Sequence, residues 1–427
     1  MNQAVRELQR ELYRSAKSNP KRIFYSLHDK IYRWDVLLCA WQQVSANRGA
    51  AGIDGVTIEK IKEQGEEIFL LQVQKELKEG TYRCKKVRRV EIPKTKGVRI
   101  LGVPTIKDRL VQTATRIIIE PIFEADFKEC SFGFRPKRSA VQASLEIYKW
   151  LNYGLTNILD LDLQRYFDSI PHQKLLTVIK RRISDSFIIK LIKAWLRSGN
   201  LTGEAIRGRQ QEVGAIQGSP ISPLLSNIYL NLLDKVWMEK MTNRYGWNAQ
   251  IVRYADDLIV LSSRPVEKVL DILRGYLNRL ELPINEEKSR ITTAEKGFNF
   301  LGFAFKRNYS PKYQKQVTHM YPTSEAIKRI IRKITLLTYR SRLHEPVEKI
   351  VKELNASLIG WTEYYRHTAC SRKFRKVQGH TNRRLRKFIM KKKHSRKAGY
   401  KELPDEKLYN IYELVNVGAN RVQYRWT

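Results

Sequence analysis

Two pairs of aspartates in this sequence have the spacing and surroundings of a metal site. In "IVRYADDLIVLSS", Asp256 and Asp257 are adjacent and lie between two apolar runs. In "LDLDLQRYFDS", Asp160 and Asp162 are two residues apart, so on a strand they share one face. Burying an unpaired carboxylate is costly, and neighbouring carboxylates repel each other. A divalent cation would offset both costs.

Carboxylates on adjacent strands make an all-oxygen, hard-ligand set of the kind that Mg²⁺ prefers. Two such ions about 4 Å apart can clamp the attacking and leaving oxygens of a phosphoryl displacement. A pair of aspartates in a basic protein is more often a solvated turn or a salt-bridge partner. The apolar strand context of Asp256 and Asp257 favours the metal site, and hence a polymerase or a nuclease.

The elements that would position these aspartates mix strands and helices in the middle of the chain, with helices at both ends. Residues 1–50, 105–125 and 138–152 have helical periodicity, and the chain from about residue 323 onward is helical in pattern. Strand patterns occur in "RRVEIPKTKGVRILGVP", which predicts a hairpin, and in "NILDLDL" and "FNFLGFAF". This order predicts an α+β core with helical additions.

The composition points to a polyanionic partner. The 427 residues include 80 Lys and Arg against 43 Asp and Glu, which gives a formal net charge of +37. An excess of this size is typical of proteins that neutralise phosphates. No apolar run approaches the roughly 18–20 residues that span a bilayer, and no signal region is evident at the N-terminus. The four cysteines are widely separated, which predicts a reducing compartment and neither disulfides nor zinc. We expect a cytoplasmic, bacterial protein without membrane contact.

Eight blocks, two of which contain the aspartates, occur in the order found in one family. They are "GIDGVT", "VRRVEIPKTKGVRILGVPTIKDRLVQ", "SFGFRPKRSA", "NILDLDLQRYFDSI", "QGSPISPLLSNIYLNLLD", "RYADDLIV", "LPINEEKS" and "FNFLGFAF", followed by "LIGWTEYYR" and a basic stretch. With its "YADD", the chain resembles the reverse transcriptase/maturase proteins encoded by group II introns, over roughly residues 30 to 390. HNH endonuclease members of that family carry paired cysteines near the C-terminus, so the resemblance is to proteins without that domain.

The resemblance implies a right-hand polymerase with fingers, a palm with an antiparallel sheet and a helical thumb. The expected domains are an N-terminal helical extension (1–50), fingers (51–155), palm (156–310), a basic thumb or maturase domain (320–397) and an unassigned tail (398–427). The implied function is RNA-directed DNA synthesis by two-metal nucleotidyl transfer, with two Mg²⁺ ions or Mn²⁺ in their place. The implied partners are an RNA template, a DNA primer, deoxynucleoside triphosphates and a group II intron RNA whose splicing is assisted.

By the same resemblance, Asp162, Asp256 and Asp257 are the catalytic metal ligands, and Asp160 is a supporting neighbour. Phe167 is the steric gate against a 2′-hydroxyl, with Tyr166 as the competing candidate. The other residues assigned to nucleotide binding are Lys94, Arg99, Gln217 and Lys288, the last as a proton donor to pyrophosphate.

Several arginines are expected to bind nucleic acid. Arg109 and Arg135 lie in two of the family blocks. The stretch from Arg366 to Lys397 holds fourteen Lys or Arg and no acid, so a phosphate backbone is its expected complement. Arg383, Arg384 and Arg386 are the phosphate contacts predicted there.

Two alternatives remain open at the level of the sequence. One is a domesticated bacterial reverse transcriptase that serves phage defence or a CRISPR locus. The other is an RNA-binding splicing factor without polymerase activity, which the intact aspartates argue against.

Overall fold

The chain forms two compact units, each built from two stretches of sequence. The computed structural model describes residues 2–93, 98–198, 213–241, 248–368, 370–393 and 399–418. One unit contains Met1–Ser139 and Leu159–Ile291, and the other contains Ala140–Ile158 and Thr292–Thr427. The expected domain limits follow a different division, so fingers, palm and thumb remain predicted names for these segments.

The first unit is built on helices that share one apolar core. Thr105 caps the long helix α6 by accepting a hydrogen bond from the backbone of Asp108, and the buried face of α6 contacts α1 and α3. The helices are α1 (Gln3–Ser18), α2 (His28–Ile31), α3 (Trp34–Ala46), α4 (Ile58–Gln64), α5 (Glu66–Lys78), α6 (Ile106–Glu124), α8 (Tyr166–Ser169), α9 (His172–Lys180), α10 (Ser186–Ser198), α11 (Ser222–Val236) and α12 (Glu267–Arg279), with a π-helical turn at Trp237–Met241.

Two sheets accompany these helices. β1 (Arg88–Pro93) and β2 (Val98–Val103) pair in antiparallel register, which confirms the hairpin predicted between Arg88 and Pro104. A four-stranded sheet has the order β4-β5-β3-β6, formed by β4 (Ala249–Tyr254), β5 (Asp257–Ser262), β3 (Asn157–Leu161) and β6 (Arg290–Thr293). β4 and β5 are almost wholly buried, which is why their sequences are continuous apolar runs around the aspartates.

The second unit combines a three-stranded sheet with helices. The sheet has the order β7-β8-β9, from β7 (Phe298–Phe300), β8 (Phe303–Ser310) and β9 (Lys315–Pro322). The sequence predicted one strand over "FNFLGFAF", which the structure divides between β7 and the start of β8, and it did not indicate β9. The helices are α7 (Ala140–Asn152), α13 (Ser324–Leu337), α14 (Val347–Tyr365), α15 (Ser371–Lys392), α16 (Gly399–Glu402) and α17 (Asp405–Asn410), with a 3₁₀ turn at Arg340–Arg342. Within the described residues, no helix has the length and apolar character needed to cross a membrane.

Candidate active site

The hairpin that carries Asp256 and Asp257 ends in a tight turn. β4 and β5 pair from Ala249↔Ser262 to Tyr254↔Asp257, which leaves Ala255 and Asp256 in the turn. Ala255 has a φ of 57°, in the left-handed region that residues with a Cβ seldom adopt. The surroundings must therefore hold the turn in this shape.

The other aspartates come from the neighbouring strand. β3 lies next to β5, with Asp160 inside it and Asp162 directly after its last residue. The segment "LPINEEKS" fixes Asp162, because Asn285 N donates to Asp162 O at 2.9 Å and Asp162 N donates to Ser289 Oγ at 3.2 Å. Lys288 of the same segment places Nζ 3.5 Å from Asp162 Oδ2 and offsets its charge.

The four aspartates act on one another electrostatically. Burial first, and then the charges of Asp256, Asp162 and Asp160, together raise the pKa of Asp257 to about 6 against the opposing charge of Lys288. Burial likewise raises the pKa of Asp160 to about 6. The pKa of Asp256 is raised, first by burial and then by Asp162. Asp257 is exposed at the start of β5, so solvent screens part of this repulsion. The four aspartates therefore bring negative charges together at a place where desolvation already disfavours the charged form of a carboxyl group.

The donor chemistry of this cluster fits a hard divalent cation, since every candidate ligand is a carboxylate oxygen. Among the residues that the structure describes, no three His, Cys, Asp or Glu side chains converge closely enough to hold a metal ion. The repulsion among the aspartates is the cost that a bound cation would remove. The assignment of Asp162, Asp256 and Asp257 as ligands thus remains a prediction supported by charge and donor type.

A buried arginine, which sequence reasoning did not identify, supports the aspartate turn. The Arg253 guanidinium is paired with Asp234, Nε donating to Oδ1 at 2.9 Å, and both side chains have 0% exposure. Nη1 of Arg253 donates to Ala255 O and to Asn227 Oδ1, each at 2.9 Å. The ion pair therefore reaches the backbone of the strained residue. The only sequence signal was an arginine inside an otherwise apolar strand.

Gly133 packs directly against the same turn. A Cβ at Gly133 would lie 2.2 Å from Ala255 N, a distance that no side chain permits. Asn227 Nδ2 donates to Gly133 O at 2.8 Å, which ties this glycine to the network of Arg253. The block "SFGFRP" thus supplies the backbone against which the aspartate turn is built.

A cleft of about 440 Å³ in the same unit contains several of the predicted nucleotide-binding residues. Arg99 Nε donates to Gln217 Oε1 at 2.8 Å, and Gly102 N donates to Gln217 O at 2.9 Å. The cleft is lined by Gln43, Val44, Asn47, Arg99, Arg109, Thr113, Arg116, Phe134, Phe167, Ile216, Gln217, Gly218, Ser219, Pro220, Ser222 and Pro223. The two hydrogen bonds to Gln217 join strand β2 to the loop before α11. Lys94 lies outside the described residues.

The two candidates for the steric gate have different surroundings. Phe167 lines the cleft and is partly exposed. Tyr166 has 1% exposure, and its hydroxyl donates to Ser226 O at 2.8 Å. Tyr166 is therefore fixed in the core behind the cleft, which favours Phe167 as the gate.

Arg109 and Arg135, both predicted to bind nucleic acid, differ in exposure. Arg109 lines the cleft and donates to Pro104 O at 3.1 Å and to Ala50 O. Arg135 has 7% exposure, and its guanidinium binds the carboxylate of Glu124 at 2.6 Å. Its Nη1 also donates to two backbone carbonyls, those of Lys128 and Ser131. With its donors engaged in the core, Arg135 stabilises the "SFGFRP" loop, which corrects its assignment as a phosphate contact.

The three arginines of α15 that were predicted to contact phosphate also differ in exposure and in hydrogen-bond partners. Arg383 is exposed, but Arg384 donates to Thr338 O at 2.9 Å and so satisfies a carbonyl at the end of α13. Arg386 has 8% exposure, donates to Leu403 O at 2.6 Å and pairs with Asp405. Arg386 is therefore a structural residue, and its prediction as a phosphate contact is corrected. The exposed cations of this helix are instead Arg372, Arg375, Lys376, Arg383, Lys387 and Lys391.

In the second unit, two tyrosines hold the turn of "FNFLGFAF". Phe300 pairs with Phe303, so Leu301 and Gly302 form the turn, with φ of 49° and 84°. Tyr364 Oη donates to Leu301 O at 2.8 Å, and Tyr365 Oη donates to Gly302 O at 3.2 Å. The "WTEYY" end of α14 thereby fixes this strained turn.

Comparisons with known proteins identify the family of this chain. Residues 85–305 match the family described as "Reverse transcriptase (RNA-dependent DNA polymerase)", and residues 327–404 match "Group II intron, maturase-specific domain". Protein YkfC of Escherichia coli is 32% identical over 79% of this chain and 98% of its own length. Group II intron-encoded protein LtrA of Lactococcus lactis is 30% identical over 68% of this chain and 58% of its own length.

Proposed function

This chain belongs to the reverse transcriptase family and is an RNA-directed DNA polymerase of right-hand fold with a group II intron maturase domain, and from that premise we propose how its residues carry out the reaction. The carrying observation is the electrostatic cluster of Asp160, Asp162, Asp256 and Asp257 at the end of β3 and the turn of β4–β5. The reaction joins the 3′-oxygen of a DNA primer to the α-phosphorus of a deoxynucleoside triphosphate and releases pyrophosphate.

Asp162 and Asp256 would hold Mg²⁺, and Asp257 would complete the site from the first position of β5. When bound, the metal would supply Lewis-acid stabilisation of the negative charge on the reacting oxygens. Lys288, whose Nζ lies 3.5 Å from Asp162 Oδ2, would hold a proton near the departing pyrophosphate. The chain itself must hold these aspartates in a fixed arrangement. The Arg253–Asp234 pair beneath the turn would do so.

The incoming nucleotide would occupy the cleft beside Arg99, Gln217 and Phe167. The guanidinium of Arg99 supplies a cation for the triphosphate, and its hydrogen bond to Gln217 keeps the group oriented before the nucleotide arrives. The ring of Phe167 would lie beneath the sugar, where a 2′-hydroxyl would collide with it. The same cleft would exclude part of the bulk water from the reacting groups.

Template–primer and intron RNA would bind to the basic surfaces. In the second unit, the exposed cations of α15 point away from its apolar core, whereas Arg384 and Arg386 are engaged within it. A surface of this kind neutralises a phosphate backbone without reading sequence. We infer that it holds intron RNA during assisted splicing and the duplex during synthesis.

Primer extension tests the proposal. Purified chain with an RNA template, an annealed DNA primer, deoxynucleotides and Mg²⁺ should make cDNA. Asp256→Asn removes one metal-binding charge and keeps the side-chain shape, so the rate should fall by more than about a hundredfold with the fold intact. Extension by Asp256→Asn at the unsubstituted rate would refute the assignment, provided that circular dichroism shows both proteins folded.

A further inference from the structure

Phe134 combines a disfavoured backbone conformation with an exposed aromatic ring. Its φ is 56°, in the left-handed region, and its side chain is 51% exposed. For a bulky residue this conformation is an outlier that persists only where the surrounding structure imposes it. An exposed phenylalanine gains little from burial, so packing in the core does not explain why the residue is held there.

The chain on the N-terminal side of Phe134 is fixed by the aspartate hairpin. Gly133 lies against Ala255 with no room for a Cβ, and its carbonyl accepts a hydrogen bond from Asn227. One residue earlier, Phe132 N donates to Arg253 O at 2.8 Å. The position of Phe134 is therefore set by the same backbone that carries Asp256.

The chain on the C-terminal side is equally fixed. Arg135 is buried and bonded through its guanidinium to Glu124 and to the carbonyls of Lys128 and Ser131. The backbone of Phe134 is therefore fixed on both sides, by Gly133 and by Arg135. Its ring is held in the wall of the 440 Å³ cleft that also contains Phe167 and Gln217.

An apolar ring in a cleft lined by arginines fits a ligand with both phosphates and a flat face, which describes a nucleotide. Aromatic platforms of this type stack on nucleobases without regard to sequence. Besides Arg99, the cleft is lined by Arg109 and Arg116 of α6, by Gln43 of α3 and by Asn47, which follows the last residue of α3. Arg116 is engaged with Gln43 Oε1 at 2.8 Å and with Pro220 O at 3.3 Å, so Arg99 and Arg109 are the cations that a phosphate would meet in this cleft.

We propose that the ring of Phe134 packs against the nucleobase of the templating nucleotide and so positions it opposite the incoming deoxynucleotide. This inference rests on the proposed polymerase function and adds a specificity-determining residue to it. The strained backbone gives a rigid placement of the ring relative to Asp256, because Gly133 contacts the hairpin turn directly. Phe134 would therefore align the template with the reacting groups.

The test compares Phe134→Ala and Phe134→Gly with Phe134→Trp in single-nucleotide extension. Removing the ring should lower kcat/KM for the correct deoxynucleotide by about tenfold, which corresponds to the loss of one base–aromatic stack, and Trp should retain most of it. Phe134→Gly also relieves the left-handed conformation, so its Tm should equal or exceed that of the unsubstituted protein. Lower activity together with an undiminished Tm would show that the activity is lost because the ring is missing and not because the fold is destabilised.

A second measurement locates the ring. With 2-aminopurine at the templating position of the RNA, the unsubstituted protein should quench its fluorescence and Phe134→Ala should not. With 2-aminopurine three nucleotides into the duplex, the two proteins should give equal emission. Tyr153→Ala, which removes an aromatic side chain that is 70% exposed outside this cleft, is the matched control and should behave as the unsubstituted protein.

Unchanged kcat/KM in Phe134→Ala would overturn the inference, as would equal emission from both proteins at the templating position. If kcat/KM falls while the emission at the templating position is unaltered, the ring contacts something other than the templating base, and the inference is also overturned. Failure of the proposed function would look different, since the unsubstituted protein would then extend no primer.

Discussion

Arg253 pairs with Asp234 at a place where neither side chain has any exposure to solvent, and the same guanidinium donates to Ala255 O at 2.9 Å. Asn227 joins the pair to Gly133, so an ion pair, an amide and a glycine backbone all support one turn. A buried ion pair is weak evidence for stability, because desolvation offsets much of its Coulomb energy. Its value here is geometric, since it fixes the position of Asp256 and Asp257.

Breaking this pair should destabilise the protein strongly. Asp234→Asn keeps the shape of the side chain but leaves the Arg253 charge buried without its counter-ion. We expect the free energy of unfolding to fall by about 3–5 kcal/mol. Denaturant titration followed by circular dichroism measures this, and a loss below about 1 kcal/mol would contradict an uncompensated buried charge.

The double variant Arg253→Met with Asp234→Leu separates stability from positioning. An apolar pair of similar volume should recover most of the lost stability. It cannot restore the hydrogen bond to Ala255, so we expect a stable protein whose rate depends on a higher Mg²⁺ concentration. Normal activity at low Mg²⁺ in this variant would mean that the network only stabilises the fold.

The charge cluster predicts a pH-dependent stability of the metal-free protein. The pKa of Asp257 is raised to about 6 by burial and by the neighbouring aspartates, so the folded state holds this proton more tightly than the unfolded state does. The stabilisation that this group contributes is complete below the unfolded pKa, near 4, and is lost as the pH rises through about 6. Asp257→Asn should therefore unfold at a higher temperature than the unsubstituted protein at pH 7.5 in EDTA, with a smaller difference at pH 4.5.

Mg²⁺ provides the companion measurement at pH 7.5. It should raise the Tm of the unsubstituted protein more than that of Asp257→Asn, because a cation relieves a repulsion that the variant has already reduced. Equal shifts in both proteins would argue against a site that includes Asp257.

Substitution of Phe167 should change the choice of sugar. Phe167→Ala opens the space beneath the 2′-carbon and removes a clash worth about 1–3 kcal/mol. Ribonucleotide incorporation relative to deoxynucleotide should rise by about tenfold or more, measured as the ratio of the two kcat/KM values. Tyr166→Phe, which removes only a buried hydroxyl, should leave the ratio unchanged. A shift in Tyr166→Ala without one in Phe167→Ala would move the gate by one residue.

Substitution of the exposed cations of α15 should change RNA binding, whereas substitution of a buried one should change stability. Replacing Arg372, Lys376, Arg383 and Lys387 by Gln should weaken RNA binding and flatten the slope of log affinity against log salt. Each residue that contacts a phosphate contributes roughly 0.7–0.9 to this slope.

Arg386→Gln is the matched control within the same helix. It breaks a buried contact with Asp405 and should lower the Tm while leaving the salt slope unchanged. A slope unchanged in the fourfold variant would refute the RNA-binding surface, and a slope flattened by Arg386→Gln alone would contradict its structural role.

The sequence alone identified the side chains that could carry out chemistry and their order along the chain. The four aspartates, the hairpin around residues 94–97 and the family blocks are all local patterns, and periodicity identified the apolar strands that flank Asp256. Such patterns are legible because a strand or helix imposes its spacing on neighbouring residues. Family membership followed from the same blocks.

Only the tertiary structure decided which charged residues are free to act. Sequence patterns do not distinguish three of the predicted arginines, which all lie in basic stretches. Arg135 and Arg386 are buried against carboxylates, whereas Arg383 is exposed. Partners 11 and 19 residues away in sequence, Glu124 and Asp405, made that difference. The left-handed conformation of Phe134 was also invisible, because it is imposed by contacts of Gly133 with Ala255 across the fold. Burial and backbone strain are properties of packing between distant segments, and no local pattern encodes them.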